Sequence, residues 1–232
     1  MSKVLAKDKT VVLPGEHLAE GMDYLPGRGT YRLNDKILAR RLGLLQVDGR
    51  ALKIIPVSGR YAPKKDDTII ACVKDIAMSG WILNINCAHN AMVNVRDATS
   101  EFIQRGADLT QFFNLGDYLL CKIVNVTSQK LVDVTMKGPG LRKLTQGRPI
   151  LVNCNKVPRI IGKQGSMVSL LKNATGCKIT VGQNGIVWIS GEAAQEIIAV
   201  EAIRKIEAEA HISGLTERIQ IFLEKKTGNK VK

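Results

Sequence analysis

The sequence predicts a multidomain chain, mainly β, that ends in an α+β domain. Three observations carry this. Short apolar runs broken by Pro and Gly fill the first sixty or so residues, and five strand-like runs follow. After Lys137-Gly138-Pro139-Gly140 the pattern changes to β-α-α-β-β-α. A length of 232 residues suits two or three small domains. Hydrophobic residues make up 45% and aromatics only 4%, so the cores must be built from Ile, Leu, Val and Ala.

Residues 1–62 read as a small β domain. Val11-Val12-Leu13 stops at Pro14-Gly15, Pro26-Gly27-Arg28-Gly29 is a turn cluster, and Leu52-Lys53-Ile54-Ile55-Pro56-Val57 stops at Ser58-Gly59. A β domain of this size buries little surface and is expected to dock on something larger.

Residues 63–138 follow a polar joint, Ala62-Pro63-Lys64-Lys65-Asp66-Asp67. Runs at 68–73, 80–85, 91–95, 118–124 and 131–136 predict five strands, with a polar stretch from Arg96 to Asp108 after the third. That is the pattern of an OB-fold barrel, of the ribosomal S-one type.

Residues 139–232 carry the mixed pattern. Ile150-Leu151-Val152-Asn153 predicts a strand, a helical turn precedes Gly162, and a helix runs from Ser166 to about Asn173. A hairpin is expected around Gly182-Gln183-Asn184-Gly185, because Asn-Gly favours tight hairpin turns. A long helix follows with Ile197, Val200, Ile203, Ile206 and Ala210 on one face. Ser213-Gly214 interrupts it, and Thr216 can cap an extra C-terminal helix.

The formal net charge of +13 points to an acidic partner. It is concentrated: no acid occurs between Asp133 and Glu192, a window holding nine bases. A solvated surface mixes its signs, so this window favours phosphates. Within it lies Arg159-Ile160-Ile161-Gly162-Lys163-Gln164-Gly165. Two glycines three apart mean little alone. Between two short helices, in this element order, they mark a type I KH domain, whose loop clamps nucleotides by their backbone. Glycine lets the main chain approach a phosphate, and the next helix offers free N–H groups near Ser166. Lys163 adds charge, Gln164 adds polar contact, and Arg159 and Lys172 flank the groove. On residues alone, a purely structural helix-to-helix turn stays open.

In the barrel, Trp81 and His89 are candidates for base stacking, and Arg96 and Lys122 for phosphate contact. Trp81 could equally fill the barrel rim. The barrel is formally neutral, with 8 basic and 8 acidic residues over 64–137, so its electrostatic share is the smaller. No motif for a catalytic residue or a metal ligand is found: there is no G-x-S-x-G, no H-E-x-x-H and no C-x-x-C. No cofactor is expected. The five scattered cysteines, the absence of an apolar leader and the absence of a long apolar run predict a cytoplasmic protein with no membrane partner.

With these residues in view, the chain resembles the KH-containing RNA-binding cap subunit of the archaeal exosome over nearly its full length. The matching segments are Val12-Leu13-Pro14-Gly15-Glu16, Pro56-Val57-Ser58-Gly59-Arg60-Tyr61-Ala62-Pro63 and Ser79-Gly80-Trp81. In the last domain they are Val157-Pro158-Arg159 through Gly165-Ser166-Met167 and Val181-Gly182-Gln183-Asn184-Gly185-Ile186-Val187-Trp188-Ile189. Asn153-Cys154-Asn155 is more polar than that family's pattern. The resemblance implies single-stranded RNA as ligand and three cap copies on a hexameric ring of phosphorolytic RNase subunits. In such caps the N-terminal domain holds the ring, the barrel surrounds the pore, and the KH domain faces outward. It also implies that catalysis belongs to the ring, and that a zinc-ribbon sister cap can share the assembly. The alternatives are a free-standing RNA-binding or translation-associated protein and an unrecognised nuclease.

Overall fold

The structure, a computed structural model, describes residues 3–99, 103–104, 106–212 and 214–228. Parts of the polar stretch expected between Arg96 and Asp108, and Ser213 of the expected helix break, lie outside them. The chain divides into two compact units, residues 1–59 and 60–232.

Among the described residues the first unit holds eight short strands: β1 (Lys3–Val4), β2 (Val11–Val12), β3 (His17–Glu20), β4 (Leu25–Pro26), β5 (Thr30–Leu33), β6 (Lys36–Ala39), β7 (Gly43–Asp48) and β8 (Ala51–Pro56). They form two sheets, in the orders β1-β3-β6-β5 and β2-β7-β8-β4. Val12, Leu45, Leu52 and Ile54 of one sheet meet Leu18, Ala19, Ile37 and Ala39 of the other in a single core. Most of these strands are two to four residues long, too short for a period-2 pattern to show in the sequence.

The second unit begins with the expected barrel: β9 (Thr68–Ala77), β10 (Gly80–Asn84), β11 (Ala91–Asn94), a one-turn helix α1 (Val95–Ala98), β12 (Tyr118–Val126) and β13 (Val132–Thr135). Neighbours run β9-β10-β11-β13-β12 and close back on β9. Only the β11–β13 pairing is parallel, the rest being antiparallel. Alternation sends Ile69, Ala71, Val73, Trp81, Leu83, Val93, Leu119, Cys121, Ile123, Val132 and Val134 inward. Gly80 allows the tight return from β9, since a Cβ there would stand 2.0 Å from the Val93 carbonyl oxygen. The break at Gly138-Pro139-Gly140 does not end the sheet: β14 (Arg142–Leu144) returns to pair with β12.

The C-terminal part runs β15 (Arg148–Leu151), α2 (Val157–Ile161), α3 (Ser166–Thr175), β16 (Lys178–Val181), β17 (Ile186–Ser190), α4 (Ala193–Glu209) and α5 (Leu215–Thr227). Its antiparallel sheet has the order β15-β17-β16. Alternate sheet residues and the inner faces of α2, α3, α4 and α5 share one core, including Val157, Ile160, Leu171, Ile179, Ile189, Ile203 and Ile219. The buried stripe of α4 is Ala199, Ala202, Ile203 and Ile206, whereas Ile197 is exposed, so the expected stripe was rotated toward solvent at its start. Thr216 lies inside the first turn of α5, and Gly214, in the left-handed region at φ 68°, occupies the cap instead.

Barrel and C-terminal domain meet through the β16–β17 hairpin. The Asn184 amide nitrogen donates to the carbonyls of Ile70 (2.7 Å) and Ile85 (3.0 Å), and its oxygen accepts from the Ile70 N–H (3.3 Å). Asn86 donates to the Asn184 carbonyl (3.2 Å), and the Gln183 N–H to the Thr68 carbonyl (2.9 Å). Beside these bonds Ile70, Leu120, Leu144, Ile186 and Trp188 form a separate apolar cluster. The loop approaches so closely that a Cβ on Gly182 would lie 2.8 Å from the Ile70 nitrogen.

Candidate nucleic-acid interface

The loop between α2 and α3 is built from the core outward. Val157 and Ile160 anchor α2, Met167 and Leu171 anchor α3, and residues 162–165 bridge them. Gly162 has φ 76° and ψ 175°, a conformation open essentially to glycine alone. A Cβ there would also sit 2.6 Å from the Met167 nitrogen. Gln164 (φ 53°) and Gly165 (φ 81°) are left-handed as well. Gly165 meets only Val168, 3.9 Å from an added Cβ, so it is required for its backbone angle rather than for space. These turns leave Lys163 and Gln164 in solvent at the start of α3, where the Ser166 N–H already donates to the Lys163 carbonyl and the Gly165 N–H to the Gly162 carbonyl (3.3 Å).

The residues expected to clamp RNA gather here. Arg159, Lys163, Gln164, Ser166 and Lys172 are exposed, and Gly162 and Gly165 are half-buried. Gly165, Val168 and Lys172 follow i, i+3, i+7 spacing, which puts Lys172 on the same side of α3 as the loop, roughly 10 Å along its axis. α3 packs against β16, the edge strand of its sheet among the described residues, and exposed Lys178 opens that strand. Lys178 follows the C-terminus of α3, at the end of that helix opposite the loop.

That window is less bare than its sequence suggests. Lys143 pairs with Asp117 (2.5 Å), Arg148 with Glu196 (3.2 Å), and Lys156 donates to the Glu207 carbonyl (2.7 Å). Among the described residues Lys137, Arg142, Arg159, Lys163, Lys172 and Lys178 have no ion-pair partner. The surplus charge is therefore held by residues around the loop and at the start of the domain.

The barrel candidates do not converge. Trp81 is fully buried: its ring lies edge-on to Phe113 at 5.1 Å, and its indole N–H donates to the Phe113 carbonyl (3.0 Å). No ring face is left for a base, so Trp81 is core and not a stacking platform. Lys122 is held by Asp66 (2.8 Å), which keeps that carboxyl below the usual carboxylate range. His89 is exposed just before β11, with its backbone tied to the Cys87 sulfur (3.3 Å). Arg96 follows the other end of β11 and borders an open groove with Met78, Ser79, Asp97, Asp108 and Lys137. The outer barrel face where OB folds commonly bind nucleic acid carries the cross-strand row Asp75, Ile82, Met92, Asp133. It offers neither aromatic nor cation, and its two acids repel phosphate. Among the described residues, no three His, Cys, Asp or Glu side chains converge to hold a metal ion, and no helix is long and apolar enough to cross a membrane.

A five-stranded OB barrel bonded to a β-α-α-β-β-α domain with a glycine-bounded loop defines a class, the KH proteins with an attached barrel. Comparison with known proteins agrees. Residues 148–205 match the KH domain family, and residues 11–48 match the family described as the exosome complex exonuclease RRP4 N-terminal region. The exosome complex component Rrp4 of Methanothermus fervidus is 39% identical over 221 residues, covering 95% of this chain and 97% of that protein. Rrp4 of Thermococcus kodakarensis is 37% identical over 227 residues, covering 96% and 88%. A crystal structure assigned as an exosome complex RNA-binding protein superposes with a TM-score of 0.65 at 32% identity, covering 72% of this chain and 97% of that one. The chain belongs to the Rrp4 family of archaeal exosome components.

Proposed function

We propose that this exosome component is a non-catalytic RNA-binding cap. It catches single-stranded RNA at the KH loop and guides it through the entry pore of a hexameric ring of phosphorolytic 3′-to-5′ exoribonuclease subunits. The observation that carries the reading is the loop itself: three of its four residues, Gly162, Gln164 and Gly165, take positive φ, and Lys163 and Gln164 stand exposed at a helix start. Arg159 and Lys172 add charge beside it that has no ion-pair partner among the described residues. Phosphate contacts of this kind give affinity with little sequence preference and strong salt dependence.

In this reading the unit of residues 1–59 docks on the ring, the barrel lies at the pore, and the KH domain stands outside. Three copies sit on each ring, alone or mixed with a zinc-ribbon sister cap. Arg96 and His89 make secondary barrel contacts, and Lys122 contacts RNA only by leaving Asp66. The five free thiols suit a reducing, cytoplasmic setting.

The test is reconstitution. The chain should co-elute with the assembled ring and raise its rate on long single strands. Incubated alone with end-labelled RNA, it should leave the RNA full length. Loss of full-length RNA that persists through repurification would show catalysis here, and a chain that stays apart from the ring would sink the cap assignment.

A further inference from the structure

α2 carries Arg159 and ends at Gly162, so its position sets where the glycine loop stands. It is five residues long, about 7.5 Å, with no side-chain cap and no acid in its first turn. A single 3₁₀ turn, Cys154–Lys156, leads into it and also lacks an acid. Asn153 caps that turn with its side chain, accepting from the Asn155 N–H (2.9 Å). At the far side of the domain's core, the last turn of α4 carries no base of its own. The two ends complete one another. The Glu207 carboxylate, 54 positions from Asn153, accepts the Asn153 N–H (2.7 Å). In a capping box that part falls to a Glu three residues after the cap, but here that third residue is Lys156. Lys156 reaches the other way and donates to the Glu207 carbonyl (2.7 Å), in the last turn of α4. A cation at a helix C-terminus and a carboxylate at a helical start are the placements that oppose the backbone dipoles. Arg204 holds the second Glu207 oxygen (2.9 Å), and the Val152 N–H goes to the Gly185 carbonyl (2.8 Å). Consecutive N–H groups at 152 and 153 are therefore pinned by two different elements.

We infer that Glu207 and Lys156 are positioning residues for the RNA clamp, a reciprocal brace that holds the start of α2 against the end of α4 and so sets the stance of the loop at Gly162. This rests on the reading of that loop as the RNA-binding site. Val157 and Ile160 decide which face of α2 lies in the core, and the brace decides how far along its axis the helix sits. Half-buried Lys156 is thereby committed to a carbonyl rather than to phosphate, although it lies in the acid-free window. The polar run Asn153-Cys154-Asn155 gains a use as well: it supplies the cap that the brace holds. Such a brace acts through preorganisation, so its loss weakens binding without removing a phosphate contact.

The test is a titration of labelled single-stranded RNA on the full chain across a salt series, with calorimetry to confirm folding. Glu207→Ala should bind about tenfold more weakly, the fold-change that loss of one charge-assisted hydrogen bond gives, at an unchanged salt slope. Glu207→Gln keeps an acceptor for the Asn153 N–H and should stay within about twofold of the unmodified chain. Lys156→Met keeps the apolar stem and should also bind about tenfold more weakly at an unchanged slope, which carries the test if Glu207→Ala does not fold. Full affinity in both Glu207→Ala and Lys156→Met overturns the brace, as does a Gln variant no better than the Ala variant. A slope flatter by about 0.7 in Lys156→Met means that Lys156 touches phosphate itself, and overturns its positioning role. The pair Lys163→Asp, Gln164→Asp separates the two readings. If that pair leaves affinity unchanged, the clamp reading has failed; if it weakens binding while the brace variants do not, only the brace falls.

Discussion

Asn184 in the KH hairpin bonds both polar groups of one barrel residue, donating to the Ile70 carbonyl at 2.7 Å and accepting from its N–H at 3.3 Å. The amide is fully buried, so water cannot replace these bonds. The pairing fixes the KH domain on the barrel through a side chain that mimics a strand neighbour.

Asn184→Ala strands the Ile70 N–H and the carbonyls of Ile70 and Ile85. The expected loss is about 3 kcal/mol, since each buried orphan costs about 1–3 kcal/mol and partial relaxation recovers some. For a unit of this size that lowers Tm by roughly 6–12 °C. Asn184→Asp should be worse, because a carboxylate cannot donate to two carbonyls. Differential scanning calorimetry checks both; equal Tm values would show that the contact contributes nothing.

Gly162 and Gly165 should separate cleanly. Gly162→Ala forces a Cβ against the α3 backbone from a glycine-only conformation, and should cost about 3 kcal/mol and abolish RNA binding. Gly165→Ala has open space and only left-handed strain, about 1–2 kcal/mol, and should leave a folded, weakened binder. Urea titration and RNA titration of the two variants measure this ranking.

Trp81→Phe removes the bond to the Phe113 carbonyl and leaves a gap in the barrel. It should destabilise the protein by about 2–3 kcal/mol while RNA affinity stays within twofold. A selective loss of RNA affinity, with stability intact, would return Trp81 to the binding surface.

Burial pushes the Cys121 thiol up to about 12, from an ordinary 9.0. Between those values the unfolded chain has released the proton and the folded chain still holds it. Stability is therefore undiminished below about pH 9 and falls as pH rises toward 12, by at most about 1.4 kcal/mol per pH unit. Cys121→Val should show a shallower alkaline decline, measured as urea midpoints from pH 8 to 10.5.

The barrel and KH elements were legible because their signals are local. Strands such as Thr68–Ala77 and Tyr118–Val126 are long and apolar, and the loop at Gly162 announces itself between two short helices. What stayed hidden depends on partners far away in sequence. Trp81 and Lys122 looked available until Phe113 and Asp66 were placed beside them. Arg148 and Lys143 looked free until Glu196 and Asp117 arrived from outside the acid-free window. Asn184-Gly185 read as a turn signal, and its larger role, reaching Ile70 across 114 positions, has no sequence period to betray it. In the first unit, two-residue strands such as Val11–Val12 exist only through their pairing.

The central claim is that the loop over α3 is a working RNA clamp, and one titration addresses it. Labelled single-stranded RNA is bound to the full chain and to Lys163→Asp, Gln164→Asp across a salt series, with calorimetry confirming that both fold alike. The account predicts at least tenfold weaker binding at low salt and a salt dependence flatter by about 0.7, the share of one phosphate contact. Equal affinity and equal slope for the two proteins would contradict it.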